Sequence, residues 1–367
     1  MSDELIYQLA LSEVSQIGCV QAKILIQHFG EATSIFKAKE SQLKKIEGIG
    51  EIRARNIKSF HDFKKEEEEI EFIEKYKIKP LFITDKNYPQ RLLNCYDSPT
   101  LLFYKGDADL NSQKIISIVG TRSNTAYAKQ VVEKLLSEIA CQNILIISGM
   151  ALGVDSLAHK NALKNNLATV GIVAHGLDQI YPAEHSILAK EMLKNKGGLL
   201  TEFRSKVKPD KHNFPIRNRI VAGISDATIV VETDIKGGSM ITAELANGYN
   251  RDVFAVPGKL TDKKSNGCNY LIRNNKAILF SSTQELIAVM GWEETKKNKS
   301  KMQKELFVEL NKEEKIIVTI LKEKEFVSID EINLKSNLSS STVAAAILQL
   351  EFSGLVYSLP GKIYTLS

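Results

Sequence analysis

Tryptophan, proline and cysteine are scarce in this chain: one Trp, 8 Pro and 4 Cys in 367 residues. Cys19, Cys95, Cys141 and Cys268 stand far apart, with no Cys-x-x-Cys and no His at ligand spacing. Neither a disulfide framework nor a zinc knuckle is expected, and a reduced, cytoplasmic setting is the economical expectation. Long apolar runs are also missing: no stretch reaches 18 apolar residues, and Met1-Ser2-Asp3-Glu4 carries neither a basic n-region nor an apolar h-region. Membrane spanning and secretion are therefore not expected. No single sign of charge dominates, because 49 Lys+Arg against 44 Asp+Glu leave only +5.

What is present is an ordinary globular composition, 43% hydrophobic and 25% charged, in a length that suits two or three folding units. The distribution of charge carries more than its total. Arg204, Lys206, Lys208, Lys211, Arg217 and Arg219 face a single acid, Asp210, so one segment carries a charge equal to the whole formal excess. A local basic stripe of this kind is the mark of an anionic partner.

Residues 5–60 read as short helices. Leu43 to Ile57, around Gly48-Ile49-Gly50 with a small Ala54, resembles a helix-hairpin-helix, and Val14 to Ile24 around Gly18 is a looser copy. Turn amides of such hairpins can face a phosphate, but eight basic against seven acidic residues in 1–60 leave a structural role equally open. The run Lys64-Lys65-Glu66-Glu67-Glu68-Glu69 reads as a solvated helix face. A connector around Tyr88-Pro89 and Ser98-Pro99 then enters a new domain.

From 115 to 280, apolar strands (115–119, 144–147, 168–173, 199–201, 227–231, 253–256) alternate with helices near 125–140, 154–165, 184–195 and 238–249. Strands apolar on both faces mean a mostly parallel, doubly wound sheet, whose ligands sit beyond the carboxyl ends of the strands. A polar stretch near 293–304 separates a tail that reads helix, helix, helix, strand, turn, strand: a winged helix. Its recognition helix offers Ser341, Thr342 and Gln349 but no Arg or Lys, which ranks DNA reading below protein contact. The expected architecture is thus α/β: a helical helix-hairpin-helix/SAM-like domain (1–65), a connector plus Rossmann-like domain (66–290) and a winged-helix domain (305–367).

Every polar, Gly-rich segment of the central domain follows a strand. These are Gly120-Thr121-Arg122, Ser148-Gly149-Met150 running on to Asp155, and Gly237-Gly238-Ser239 opening a helix. Three such loops on one edge make a row of amide donors suited to phosphates. Neither Gly-x-x-x-x-Gly-Lys-Ser/Thr nor Gly-x-Gly-x-x-Gly is present, which argues against ATP hydrolysis and dinucleotide chemistry. In the basic segment, Lys211 can neutralise a phosphate. Phe214, after Asn213, either stacks on a base or packs in the core. Arg217 and Arg219, two apart in a helix opening at Ile216, do not share a face, so one reaches the groove while the other pairs with an acid inside. Asp155 and His159, four apart, form a couple or, more economically, brace their loops separately. Tyr181-Pro182 shapes the exit of the loop containing His175.

The ordered set Ser148-Gly149-Met150-Ala151-Leu152-Gly153-Val154-Asp155 with His159, Gly176-Leu177-Asp178 with Tyr181-Pro182, Asn213-Phe214-Pro215-Ile216-Arg217-Asn218-Arg219, Gly238-Ser239-Met240-Ile241-Thr242 and Val256-Pro257-Gly258 resembles the DprA/Smf family of DNA-processing proteins over about residues 80–285. The resemblance implies a non-catalytic, cytoplasmic homodimer without a cofactor that binds single-stranded DNA irrespective of base. It further implies protection of incoming strands in natural transformation and help in loading RecA recombinase. It places the DNA contacts at Gly120, Thr121, Arg122, Ser148, Gly149, Met150, Lys211, Asn213, Phe214, Arg217, Arg219, Gly238 and Ser239. Leu152 departs from the Arg that many members carry. The alternative is a nucleotide-processing enzyme of the cytokinin-activating, lysine-decarboxylase-like type hydrolysing nucleoside monophosphates, to whose Gly-rich loop and carboxylate Gly237 to Glu244 has a distant likeness.

Overall fold

The computed structural model describes residues 3–293, 310–359 and 361–366, which form two compact units, Met1–Leu279 and Phe280–Ser367. The first begins with six helices: α1 (Asp3–Glu13), α2 (Cys19–Phe29), α3 (Ala32–Lys37), α4 (Glu40–Leu43), α5 (Gly50–Lys58) and α6 (Lys64–Lys75). Both expected hairpins form. Gly48 and Gly50 adopt positive φ in the second turn, and Ala54 is fully buried beside it. Arg53 joins the two hairpins, Nε donating to the Gln16 carbonyl (2.9 Å) and Nη1 to that of Gly48 (3.0 Å).

The acidic run of α6 is not a solvated face. Glu66 and Glu69 are buried; Arg204 Nη1 pairs with Glu66 Oε1 (2.8 Å), and Glu69 accepts from the Ser205 amide (3.0 Å). Residues three apart share one side of a helix, and that side meets the loop after the sixth strand. Ile73 of α6 shares an apolar core with Leu9, Leu25, Phe82, Leu101 and Phe103. The position expected to end the first domain, residue 65, thus falls inside α6, and helices and sheet pack as one unit.

The elements that follow are β1 (Lys79–Phe82), α7 (Gln90–Leu93), β2 (Leu101–Gly106), β3 (Ile115–Val119), α8 (Ala126–Glu138), β4 (Leu145–Ser148), α9 (Val154–Lys164), β5 (Thr169–Ile172), α10 (Ser186–Lys194), β6 (Gly198–Thr201), α11 (Asn213–Ile224), β7 (Ala227–Val230), α12 (Gly238–Gly248), β8 (Asp252–Ala255), α13 (Asn266–Arg273) and β9 (Ile278–Leu279). They build a sheet in the order β1-β2-β6-β5-β4-β3-β7-β8-β9. β6 through β9 in that order are parallel, while β2 pairs antiparallel with both β1 and β6. From β3 the chain winds one way through β4 to β6, then returns beside β3 to wind the other way through β7 and β8. This reversal is a topological switch point, where adjacent loops diverge and leave a crevice. Strands β3 to β7 are buried along their whole length, as their continuous apolar sequence requires.

In the second unit, α14 (Thr283–Val289) precedes α15 (Lys312–Glu323), β10 (Val327–Ser328), α16 (Ile329–Ser336), α17 (Ser340–Phe352), β11 (Val356–Leu359) and β12 (Ile363–Leu366). The three strands form one sheet in the order β10-β12-β11, packed through Ile317, Ile332, Val343 and Leu350. This is the expected winged helix. The polar stretch near 293–304 lies, from residue 294 on, outside the described residues.

Candidate nucleic-acid interface

A cleft of about 750 Å³ opens at the switch point, walled by the loops that follow β3, β4, β5, β6 and β7 and by one side of α11. After β3, the Thr121 amide donates to the Glu232 carbonyl (2.6 Å), and the Thr121 carbonyl accepts from the Val154 amide (3.1 Å). The loop is therefore pinned between the loops after β7 and β4. Glu232, buried beyond the end of β7, accepts from the amide and hydroxyl of Thr125 (3.0 and 2.8 Å) and fixes the start of α8. Neither motif nor periodicity marked Glu232.

Gly153 permits this arrangement. Its φ is +81°, and a Cβ there would collide with the backbone of Thr121 and Arg122. Gly153→Ala should both lower the melting temperature, by an effect of about 1–3 kcal/mol, and weaken binding of any ligand that needs Arg122. A folded variant with unaltered stability and binding, by calorimetry and titration, would contradict the role given to Gly153.

Of the thirteen residues the resemblance implicates, the cleft lining gathers Gly120, Thr121, Arg122, Gly149, Lys211, Phe214, Arg217, Gly238 and Ser239. Arg122 and Lys211 are exposed. The Arg122 guanidinium lies 5.4 Å from the Phe214 ring centre, and Phe214 is half-buried at the cleft wall, outside the core clusters of buried residues. Ser239, in the first turn of α12, is 93% buried, and its Oγ has no partner among the described residues. An orphaned hydroxyl at a helix N-terminus is placed to donate to an anion. The N-termini of α9 and α12 both border the cleft and add partial positive charge.

Four implicated residues lie off the main cleft. Ser148 is fully buried, its Oγ donating to the Ile118 carbonyl (2.6 Å). Met150 packs against Val173, Leu188 and Met192 and reaches only a narrow side slot. Asn213 Nδ2 donates to the Ala174 carbonyl (3.3 Å). Arg219 is held by Glu202 and by the Asp97 carbonyl, and Cys19 of α2 lies within 3.4 Å of its guanidinium. It is the arginine that pairs with an acid inside. Arg217 reaches the cleft but is buried too, its Nη1 donating to the Ile172 carbonyl. α11 begins at Asn213, three residues earlier than expected, because Pro215 fits the first turn, where its missing N–H is no loss.

The basic segment is consequently less basic than it reads. Arg204 pairs with Glu66, Lys206 with Glu68 (2.8 Å), Arg219 with Glu202, and Arg217 stands beside Asp155. Among the described residues only Lys208 and Lys211 of the six are exposed without an ion-pair partner. Asp210 and Asp234 also line the cleft, each carboxylate engaged by a backbone amide.

Asp155 and His159 do not bond to each other. The Asp155 carboxylate accepts from the Ala151 amide (3.3 Å); burial pushes its pKa up, against the opposing pull of Arg217. His159 spans Thr169 Oγ1 and the Gly149 carbonyl, both at 2.6 Å, and burial pushes its pKa down to about 4. A depressed folded-state pKa means that this contribution is intact above about 6.5 and is lost as pH falls toward 4, on the order of 3 kcal/mol. Denaturant titrations between pH 7 and 4 should show a shallower loss of stability in His159→Gln than in wild type; matching slopes would overturn this assignment.

Glu244 takes no part in the cleft. It sits on the outer side of α12, its carboxylate 2.7 Å from Lys276 Nζ.

Comparison with known proteins agrees with this geometry. Residues 79–291 match the family model for DNA recombination-mediator protein A, residues 308–362 that for the DprA winged helix domain, and residues 6–70 a helix-hairpin-helix motif. Protein Smf of Synechocystis is 34% identical over 297 residues, covering 79% of this chain and 73% of that protein. The structure of DNA processing protein A from Streptococcus pneumoniae superposes with a TM-score of 0.67 at 31% identity, covering 77% of this chain and 97% of the other. That of DNA processing protein A from Helicobacter pylori, described for its single-stranded DNA binding mode, gives 0.52 at 33% identity over 57% and 94%.

Proposed function

The chain belongs to the DprA/Smf family of DNA-processing proteins, and from that membership we propose that the switch-point cleft holds single-stranded DNA without reading its sequence. One observation carries the reading: an exposed cation pair, Arg122 and Lys211, and a half-exposed ring, Phe214, drawn from separate segments into one cleft. Cations supply phosphate affinity, and a ring stacks on any base. Gly120 and Gly149 leave room for Val154, Asp155 and Arg217 to pack behind the cleft, Gly238 leaves its mouth open, and Ser239 Oγ adds a donor.

In the cell this activity is that of a recombination mediator rather than an enzyme. It protects incoming strands during transformation and hands them to RecA recombinase, as a cytoplasmic homodimer. The winged helix supports a protein-contact role. The outward positions of α17, among them Ser341, Ala345, Leu348 and Gln349, carry no cation, and groove insertion needs phosphate neutralisation. Nucleoside monophosphate hydrolysis lacks its carboxylate, since Glu244 is engaged by Lys276 away from the cleft.

Fluorescence anisotropy with oligothymidylate and a length-matched duplex, at two salt concentrations, tests the proposal. The single strand should bind more tightly, with an affinity that falls as salt rises. Equal affinity for the duplex would reject it.

A further inference from the structure

Phe214 does not stand alone. Tyr181, from the loop after β5, places its ring centre 6.1 Å from that of Phe214, with the planes turned by 44°, and is 49% exposed. Both rings line the main cleft and the side slot beside it. Read as sequence, Tyr181 only shapes the exit of its loop. In the structure it leaves aromatic surface open to water beside the groove, which packing alone does not require.

We propose that Tyr181 and Phe214 form a two-ring clamp that takes one unpaired nucleobase, with Arg122 beside it to hold an adjoining phosphate. The clamp rests on the strand-binding reading above and goes beyond it by adding a second ring and a defined base subsite. Stacked bases lie ~3.4 Å apart, so a base between two rings needs ~7 Å between their planes. From ring centres 6.1 Å apart and planes turned by 44°, a base enters by a small opening and a rotation of the half-exposed Tyr181.

The loop that carries Tyr181 is held in place. Its amide donates to Nε2 of the buried His175 (3.2 Å), whose Nδ1 donates to the Gly176 carbonyl (2.8 Å). The Gly176 amide in turn donates to the Val207 carbonyl (3.0 Å), and the Lys206 amide to Asp178 Oδ1 (3.0 Å). The loop is thus tied to the segment that leads into Phe214, and the two rings are preorganised as a pair. The slot beside them is lined by Ala151, Leu152 and Ala174, while both ring nitrogens of His175 are already engaged. The remaining cation of the slot, Arg122, is the one assigned to a phosphate, and two stacking faces accept any base, so the subsite does not discriminate among bases.

The test measures oligothymidylate binding by full-length wild type, Tyr181→Ala, Tyr181→Leu, Tyr181→Phe, Phe214→Ala and the double alanine variant. The same titrations are repeated with an abasic oligomer of equal length, and thermal melts confirm folding. Tyr181→Ala and Tyr181→Leu should lose roughly 5- to 20-fold in affinity with an unchanged salt slope, and Tyr181→Phe should stay within about twofold of wild type. After Phe214→Ala, removal of Tyr181 should add little, because the clamp needs both rings. On the abasic oligomer, wild type and Tyr181→Ala should bind alike. A 2-aminopurine reporter in the strand should be quenched by wild type and less so by Tyr181→Ala. If wild type binds and Phe214→Ala weakens binding while folded Tyr181→Ala and Tyr181→Leu match wild type, the clamp is overturned and the strand reading survives. If wild type fails to bind oligothymidylate at all, the strand reading falls, and the clamp with it.

Discussion

Arg217→Ala should cost about 3–5 kcal/mol of folding stability, the scale of a buried charge left without the opposite charge beside it. Both Arg217 and Asp155 are more than nine-tenths buried, and both flank Gly149, where any Cβ would touch their side chains. Burial holds the Asp155 pKa up while Arg217 pulls it down. Without the guanidinium, the carboxylate pKa rises further. A raised folded-state pKa contributes stability below the unfolded value and loses it as pH rises through the folded one. The deficit of the variant should therefore shrink in acid and grow toward neutral pH. Adding Asp155→Asn should restore part of the loss, because the second substitution removes the unpaired charge. Denaturant titration of the four members of this cycle at two pH values decides it. A single variant that unfolds at the wild-type midpoint, or a strictly additive cycle, would falsify the coupling.

Within the cleft, cation and ring should separate by their response to salt. Arg122→Ala and Lys211→Ala should each weaken oligothymidylate binding and lower the salt slope by up to about 1. Phe214→Ala should lose about 1–3 kcal/mol, roughly 5- to 150-fold, with the slope nearly unchanged. Because Arg122 lies over the Phe214 ring, the two losses should combine non-additively. If Phe214→Ala instead lowers the melting temperature sharply and leaves the affinity of the folded protein intact, the ring supports the fold, not the strand.

Much of the central sheet was legible because its signals are local. A continuous apolar run bounded by glycine loops specifies a buried parallel strand, and β3, β4, β5, β6, β7 and β8 fall within one or two residues of expectation. β1 and β2 were missed. They join the sheet antiparallel at its edge, where pairing with distant residues, rather than periodicity, makes the strand. α6 misled for a related reason. Its Glu66 and Glu69 look solvated beside Glu67 and Glu68 until Arg204 and Ser205, far along the chain, close over them.

Legible in the chain alone are the strands β3 to β8 with the helices between them, the glycine loops that follow them and the candidates Arg122, Lys211 and Phe214, because apolar runs, glycine spacing and residue chemistry are properties of neighbours in the chain. Which basic residues remain free follows from the packed fold. Formal charge is additive along a sequence, but effective charge depends on which acid the fold brings within contact. Ion pairing and burial therefore divide the Arg204–Arg219 segment into four residues committed to the interior or to Glu68 and two facing solvent. The same holds for Tyr181, placed beside Phe214 by loops that meet only when the sheet is wound, and for Glu232, whose hold on Thr125 exists only where β7 lies beside β3.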